Sequence, residues 1–109
     1  MLTVVFGRDG RNRLSFFHAS GHAEWAEAGD DIVCAAVSAI LQAARLGLEA
    51  HANVHLEVRQ DKGELHVRWP AGRRDDAAVT AIVRTAELAV ERIADQYPAH
   101  VTFERRGEA

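Results

Sequence analysis

The residues best suited to chemistry lie in one segment of the chain, from Gly21 to Ser38. Cys34 is the only cysteine among the 109 residues, and His22 precedes it on a short segment bounded by Gly21 and Gly29. A helical pattern begins just before Cys34 and predicts that it lies in the first turn of a helix. Unpaired backbone N–H groups and the helix dipole favour the thiolate there. A histidine brought back by the preceding segment would supply the base, so the segment predicts nucleophilic catalysis.

Cys34 and His22 can also be explained without any catalytic role. A lone cysteine among alanines can simply fill a core position, and His22 can be an ordinary exposed histidine. His18 is the rival base, at the end of a predicted strand. Alternation along that strand places it on the apolar side with Leu14 and Phe16, which favours a packing role. His18 stays the alternative base at this point.

Four residues around the thiol have further candidate roles. Asp31 can cap the predicted helix or orient the imidazole of the base. Ser38 lies one helical turn beyond the cysteine, where its hydroxyl can contact the thiolate or a substrate carbonyl. Gly21 and Gly29 are candidate hinges of a mobile active-site loop that covers about residues 20–31.

A zinc site would compete for the same side chains. Cys34, His22 and His18 could ligate zinc, but the sequence offers no second cysteine and no helical His-x-x-x-His pair near them. We therefore expect neither a metal site nor a cofactor.

Hydrophobic periodicity predicts the elements that position this segment. The predicted strands are 2–7, 13–19, 53–59, 64–69 and 100–104, and the predicted helices are 31–50 and 75–97, with a frayed tail at 107–109. The order ββαββαβ indicates an α+β fold in which a mostly antiparallel sheet packs with two helices. Residues 1–109 then form a single compact domain.

Composition narrows the function classes. The formal net charge is −3, and no lysine- and arginine-rich face stands out, which argues against direct binding to nucleic acid. The first residues lack the pattern of a signal peptide, and we expect no membrane-spanning segment. These features favour a cytoplasmic protein.

The segment as a whole resembles the ribosomal-processing cysteine protease family, Prp. The resemblance rests on Gly21-His22-Ala23, a short spacer to Gly29, and then Asp31-Ile32-Val33-Cys34-Ala35-Ala36-Val37-Ser38-Ala39. The flanking hairpins and the Tyr97-Pro98 end of the second helix fit the family's layout as well.

The resemblance implies a cysteine endopeptidase with His22 as base and Cys34 as nucleophile. It also implies a homodimer. Leu88, which falls off the apolar stripe of the second predicted helix, is a candidate contact between the two copies. The implied substrate is large-subunit ribosomal protein number twenty-seven, whose N-terminal extension is cut off after an aromatic or hydrophobic residue. The alternative is a non-catalytic ribosome-assembly or protein-binding module that uses an exposed face of the sheet.

Overall fold

The computed structural model describes residues 1–21 and 28–108, and residues 28–31 by their backbone alone. The predicted order ββαββαβ is confirmed. The elements are β1 (Leu2–Arg8), β2 (Leu14–Ser20), α1 (Ala28–Leu46), β3 (Glu57–Asp61), β4 (Glu64–Arg68), α2 (Ala77–Gln96) and β5 (Val101–Gly107). A π-helical turn, Gly47–His51, prolongs α1, and a short 3-10 turn, Ala71–Arg73, precedes α2.

The strands form one five-stranded sheet in the order β3-β4-β2-β1-β5. Three of the pairings are antiparallel, and β5 joins the far edge parallel to β1. The parallel pairing arises because α2 carries the chain across the sheet from β4 to the opposite edge.

Both helices cover the same face of the sheet, and their apolar stripes form a single core with it. Trp69 is 1% exposed in this core, and its indole N–H donates to the carbonyl of Leu14 at 2.9 Å. No helix of the described residues covers the other face of the sheet, which presents mainly polar side chains.

The prediction of which β2 side chains face the core is wrong for the second half of the strand. Phe17 and Ala19 are the residues buried in the core, whereas Phe16 and His18 are only partly buried and lie on the helix-free face. The cause is a bulge: Gly7 pairs with Phe16 but Arg8 pairs with Leu14, which leaves one extra residue between them. Leu14 and Phe17, three residues apart, therefore both face the core, and His18 shares the other face with Phe16 but not with Leu14.

The start of α1 also differs from the prediction. The helix already includes Ala28, so Asp31 lies inside it and is not the N-cap. Gly29 belongs to the helix as well and is not a hinge outside it. The predicted loop at about 20–31 is thus shortened from its C-terminal side, and its remaining part, residues 22–27, lies outside the described residues.

The C-terminal segment is ordered further than predicted. β5 extends through Gly107, and the backbone N–H of Glu108 donates to the carbonyl of Arg8 at 2.7 Å. The Glu108 carboxylate accepts from the Ser15 hydroxyl at 2.9 Å and pairs with Arg68. The expected fraying is therefore wrong for Gly107 and Glu108.

One helical segment, Ile32–His51, is long and apolar enough to cross a membrane by length and composition, contrary to the sequence expectation. Its composition has a second explanation in this fold. Val37, Leu41 and Leu48 are each at most 1% exposed and pack in the core against the sheet and α2.

Candidate active site

Cys34 lies on the wall of a cleft of about 390 Å³ between α1 and one end of the sheet. Its side chain is partly buried and packs against the hydrophobic core. The cleft has apolar walls and a polar rim. Its lining residues are Leu2, Ala19, Gly21, Cys34, Ala35, Val37, Ser38, Leu41, Gln42, Gln60, Asp61, Gly63, Glu64 and Leu65.

Cys34 is not in the first turn of α1, as the sequence predicted. It follows Ala28 by six residues (34 − 28), which places it in the second turn. The influence of a helix dipole falls off within the first turn. Any activation of this thiol must therefore come mainly from a neighbouring side chain.

Ser38 lies on the same cleft wall as Cys34, one helical turn further along α1. It is exposed, so its hydroxyl is accessible to a ligand in the cleft. The sequence-based pairing of these two positions on one helical face agrees with their shared cleft.

Gly21 leaves β2 at the same cleft with φ +92°, a left-handed conformation that favours glycine. A Cβ at this position would also overlap the backbone carbonyl of Met1. The chain therefore enters the His22 segment from the cleft wall. His22 itself and the side chain of Asp31 lie outside the described residues.

The turn between β3 and β4 supplies the acidic part of the rim. Asp61 and Glu64 flank this turn, and Gly63 adopts φ +79° within it. Both carboxylates lie at one edge of the cleft, whose lining also includes the polar side chains of Ser38, Gln42 and Gln60. Sequence reasoning missed this edge, because the β3–β4 turn and α1 are distant in the chain and meet only through the sheet.

A family model described as "Cysteine protease Prp" matches residues 1–102. The chain belongs to the cysteine protease Prp family. Among curated protein sequences, none matches it significantly.

Solved structures with the same fold include a Streptococcus mutans protein, SMU.848, with 26% sequence identity and a TM-score of 0.90 over 99% of both chains. The ribosomal processing protease Prp of S. aureus, solved with a covalently linked product peptide, has 22% identity and a TM-score of 0.83. The same protein with a substrate peptide gives 22% identity and a TM-score of 0.86. Each of the two S. aureus matches covers 96% of this chain and 99% of the other.

Proposed function

We propose that this Prp-family chain is a cysteine endopeptidase with Cys34 as nucleophile and His22 as general base. The observation that carries the proposal is that Cys34 and Gly21, the residue directly before His22, line the same cleft. Family membership over residues 1–102 supports the reaction class. Asp31 is the proposed orienter of the imidazole, and its position inside α1 argues against the N-cap role.

In the proposed reaction His22 takes the proton from the Cys34 sulfur, and the thiolate attacks the scissile carbonyl carbon. The tetrahedral intermediate collapses as His22 returns the proton to the leaving amine, which leaves a thioester on Cys34. Water, deprotonated by His22, then hydrolyses the thioester and regenerates the thiol. Ser38, which lines the same cleft, is the proposed hydrogen-bond partner of the substrate carbonyl or the thiolate.

The proposed substrate is the N-terminal extension of large-subunit ribosomal protein number twenty-seven. The cleft walls formed by Leu2, Ala19 and Leu41 suit an aromatic or aliphatic side chain next to the scissile bond. The carboxylates of Asp61 and Glu64 at the rim suit a cationic group further along the peptide. The S. aureus protease, solved with a substrate peptide, supports a peptide ligand in this fold.

Cleavage of a peptide that spans the extension, followed by mass spectrometry, tests the proposal. Cys34→Ala and His22→Ala should each abolish cleavage, because the nucleophile or its base is gone. The matched control is His55→Ala, which removes an exposed histidine that does not line the cleft. Cleavage that survives either substitution would contradict the assignment of that residue.

Alkylation by iodoacetamide tests activation of the thiol apart from substrate choice. In the unmodified protein Cys34 should react well below pH 8.5, the range of an ordinary thiol. In His22→Ala it should react as an ordinary thiol. Ordinary reactivity in both proteins, together with unchanged co-sedimentation of Cys34→Ala with ribosomal particles, would favour the non-catalytic binding module instead.

We further propose that the protein is a cytoplasmic homodimer. Leu88 on α2 is 47% exposed and borders a groove of about 600 Å³ that also contains Ile40 and Ile93. An exposed leucine beside partly buried apolar side chains supports a contact between two copies.

A further inference from the structure

The helix-free face of the sheet brings one histidine of β2 next to two side chains of β4 that are distant from it in the chain. His18 on β2 pairs directly with His66 on β4, and Glu64 lies two residues before His66 on the same face. The two imidazole rings stack with centroids 3.6 Å apart and an interplanar angle of 15°. The donor atoms of the three residues all lie within 4.8 Å of one another.

The nitrogen Nε2 of His18 is a polar atom whose hydrogen-bonding capacity is unused among the described residues. It is buried and has no hydrogen-bond partner in the part of the chain that the structure describes, and the nearest carboxylate oxygen, Oε1 of Glu64, lies at 3.4 Å, beyond the usual range of a hydrogen bond. A buried polar atom left unpaired costs free energy. A ligand placed between His18 and Glu64 would remove that cost.

We propose that His18, His66 and Glu64 bind a divalent transition-metal ion, for which zinc is the best candidate. Two imidazoles and one carboxylate are a ligand set that zinc uses with a fourth position left to water or another ligand. Zinc bonds of about 2.1 Å place tetrahedral donor atoms roughly 3.4 Å apart. Binding requires both rings to rotate out of their parallel stack, so that their in-plane lone pairs converge on one ion, and the exposed Glu64 side chain to turn toward it.

The site opens into a cavity of about 430 Å³ on the helix-free face, so an ion and a water ligand have access. Glu64, the first residue of β4, also lines the cleft that contains Cys34. A bound ion would therefore hold a residue of the cleft rim in one position. Metal binding at this site does not depend on the proposed protease activity.

Positive charge near the site opposes the ion and offers an internal test. Arg59 on β3 pairs directly with His66, and its side chain is exposed. A unit charge and a divalent ion about 8 Å apart in water repel each other enough to weaken binding by about fivefold. Arg59→Met should therefore tighten zinc binding by about that factor.

The test is a zinc titration of untagged, chelator-treated protein against a chromogenic chelator, with cobalt absorption as a second readout. We expect one zinc ion per chain at this site and the visible bands of tetrahedral cobalt. His66→Phe keeps a stacked ring without a donor and should weaken binding by more than about 100-fold, since even outer-shell partners are worth 10- to 100-fold. His55→Gln, which changes an exposed histidine away from the site, should bind as the unmodified protein does.

Two further variants keep the proposal falsifiable. Glu64→Gln changes an exposed side chain and should fold normally while binding zinc at least about tenfold more weakly. Cys34→Ala should retain the ion, which separates this site from a thiolate site. No binding by the unmodified protein, or binding lost in Cys34→Ala and kept in Glu64→Gln and His66→Phe, would overturn the proposal.

Discussion

Glu87 gives the sharpest stability prediction, because it is a buried carboxylate held by three arginines. It lies on α2, is 0% exposed, and accepts two hydrogen bonds from Arg8 at 2.7 and 2.9 Å. Arg84 donates to it at 2.6 Å and Arg105 at 3.2 Å. The network joins β1, α2 and β5, and so ties the parallel edge of the sheet to the helical layer.

Glu87→Gln keeps the shape of the side chain and removes its charge. The amide turns one donor group toward the arginines, so several charge-assisted hydrogen bonds are lost at once. Removal of one partner from a buried ion pair costs about 3–5 kcal/mol, and we expect a loss in that range at neutral pH. For a domain of this size that is a large share of a typical free energy of unfolding, about 5–15 kcal/mol.

Urea unfolding followed by circular dichroism measures the effect. The matched control is Glu91→Gln, four residues further along α2, which removes one partner of the solvent-exposed ion pair with Arg105. The control should lose much less stability, since exposed ion pairs contribute little. A loss for Glu87→Gln as small as that of the control would refute the reasoning.

The pH dependence gives an independent check on the same residue. Burial alone raises the pKa of the Glu87 carboxyl, but the hydrogen bonds from Arg8 and Arg84 and the charge of Arg105 outweigh burial, and the net pKa lies below 4.5. A carboxyl with a lowered pKa in the folded state stabilises the fold above its unfolded pKa and loses that contribution as the pH falls through its folded pKa. The difference in unfolding free energy between the unmodified protein and Glu87→Gln should therefore shrink below about pH 4.5. If this free-energy difference stayed constant down to pH 2, the lowered pKa of Glu87 would be contradicted.

Two further predictions concern α2. Asp76→Ala removes the N-cap that accepts from the backbone N–H groups of Ala78 and Val79 at 2.9 and 3.3 Å, and should lower Tm by roughly 4–8 °C in a thermal melt, whereas Asp76→Asn should not. Leu88→Glu places charge on the proposed dimer contact and should give a monomer by size-exclusion chromatography with multi-angle light scattering. If the unmodified protein is already a monomer in this measurement, the proposed dimer contact is wrong.

Most of the fold follows from local patterns in the sequence. Alternation and helical spacing predicted the order ββαββαβ because each apolar stripe faces the same core. Asp75-Asp76 correctly predicted the start of α2, where a side-chain oxygen satisfies unpaired N–H groups. The start of α1 was wrong because Asp31 has the residue type of a cap, and residue type alone does not fix where a helix begins.

The errors come from features that depend on contacts between distant segments. The bulge in β2 changes which side chains face the core between Leu14 and Phe17. No residue type in this part of the sequence indicates a bulge. The stacking of His18 on His66 requires the β2–β4 pairing, which joins strands that are not adjacent in the chain. Glu87 did leave a signal: it falls between Val83 and Val90 on the buried stripe of α2, where a charged residue needs partners.

The position of Cys34 changes what the proposed mechanism requires of His22. A cysteine at a helix N-terminus keeps part of its thiolate when its base is removed, because the dipole and the unpaired N–H groups remain. Cys34 lies six residues after Ala28, beyond the reach of that effect. His22→Ala should therefore lose nearly as much activity as Cys34→Ala. In the proposed mechanism, the histidine that follows Gly21 is therefore the main source of thiol activation, and the helix contributes little.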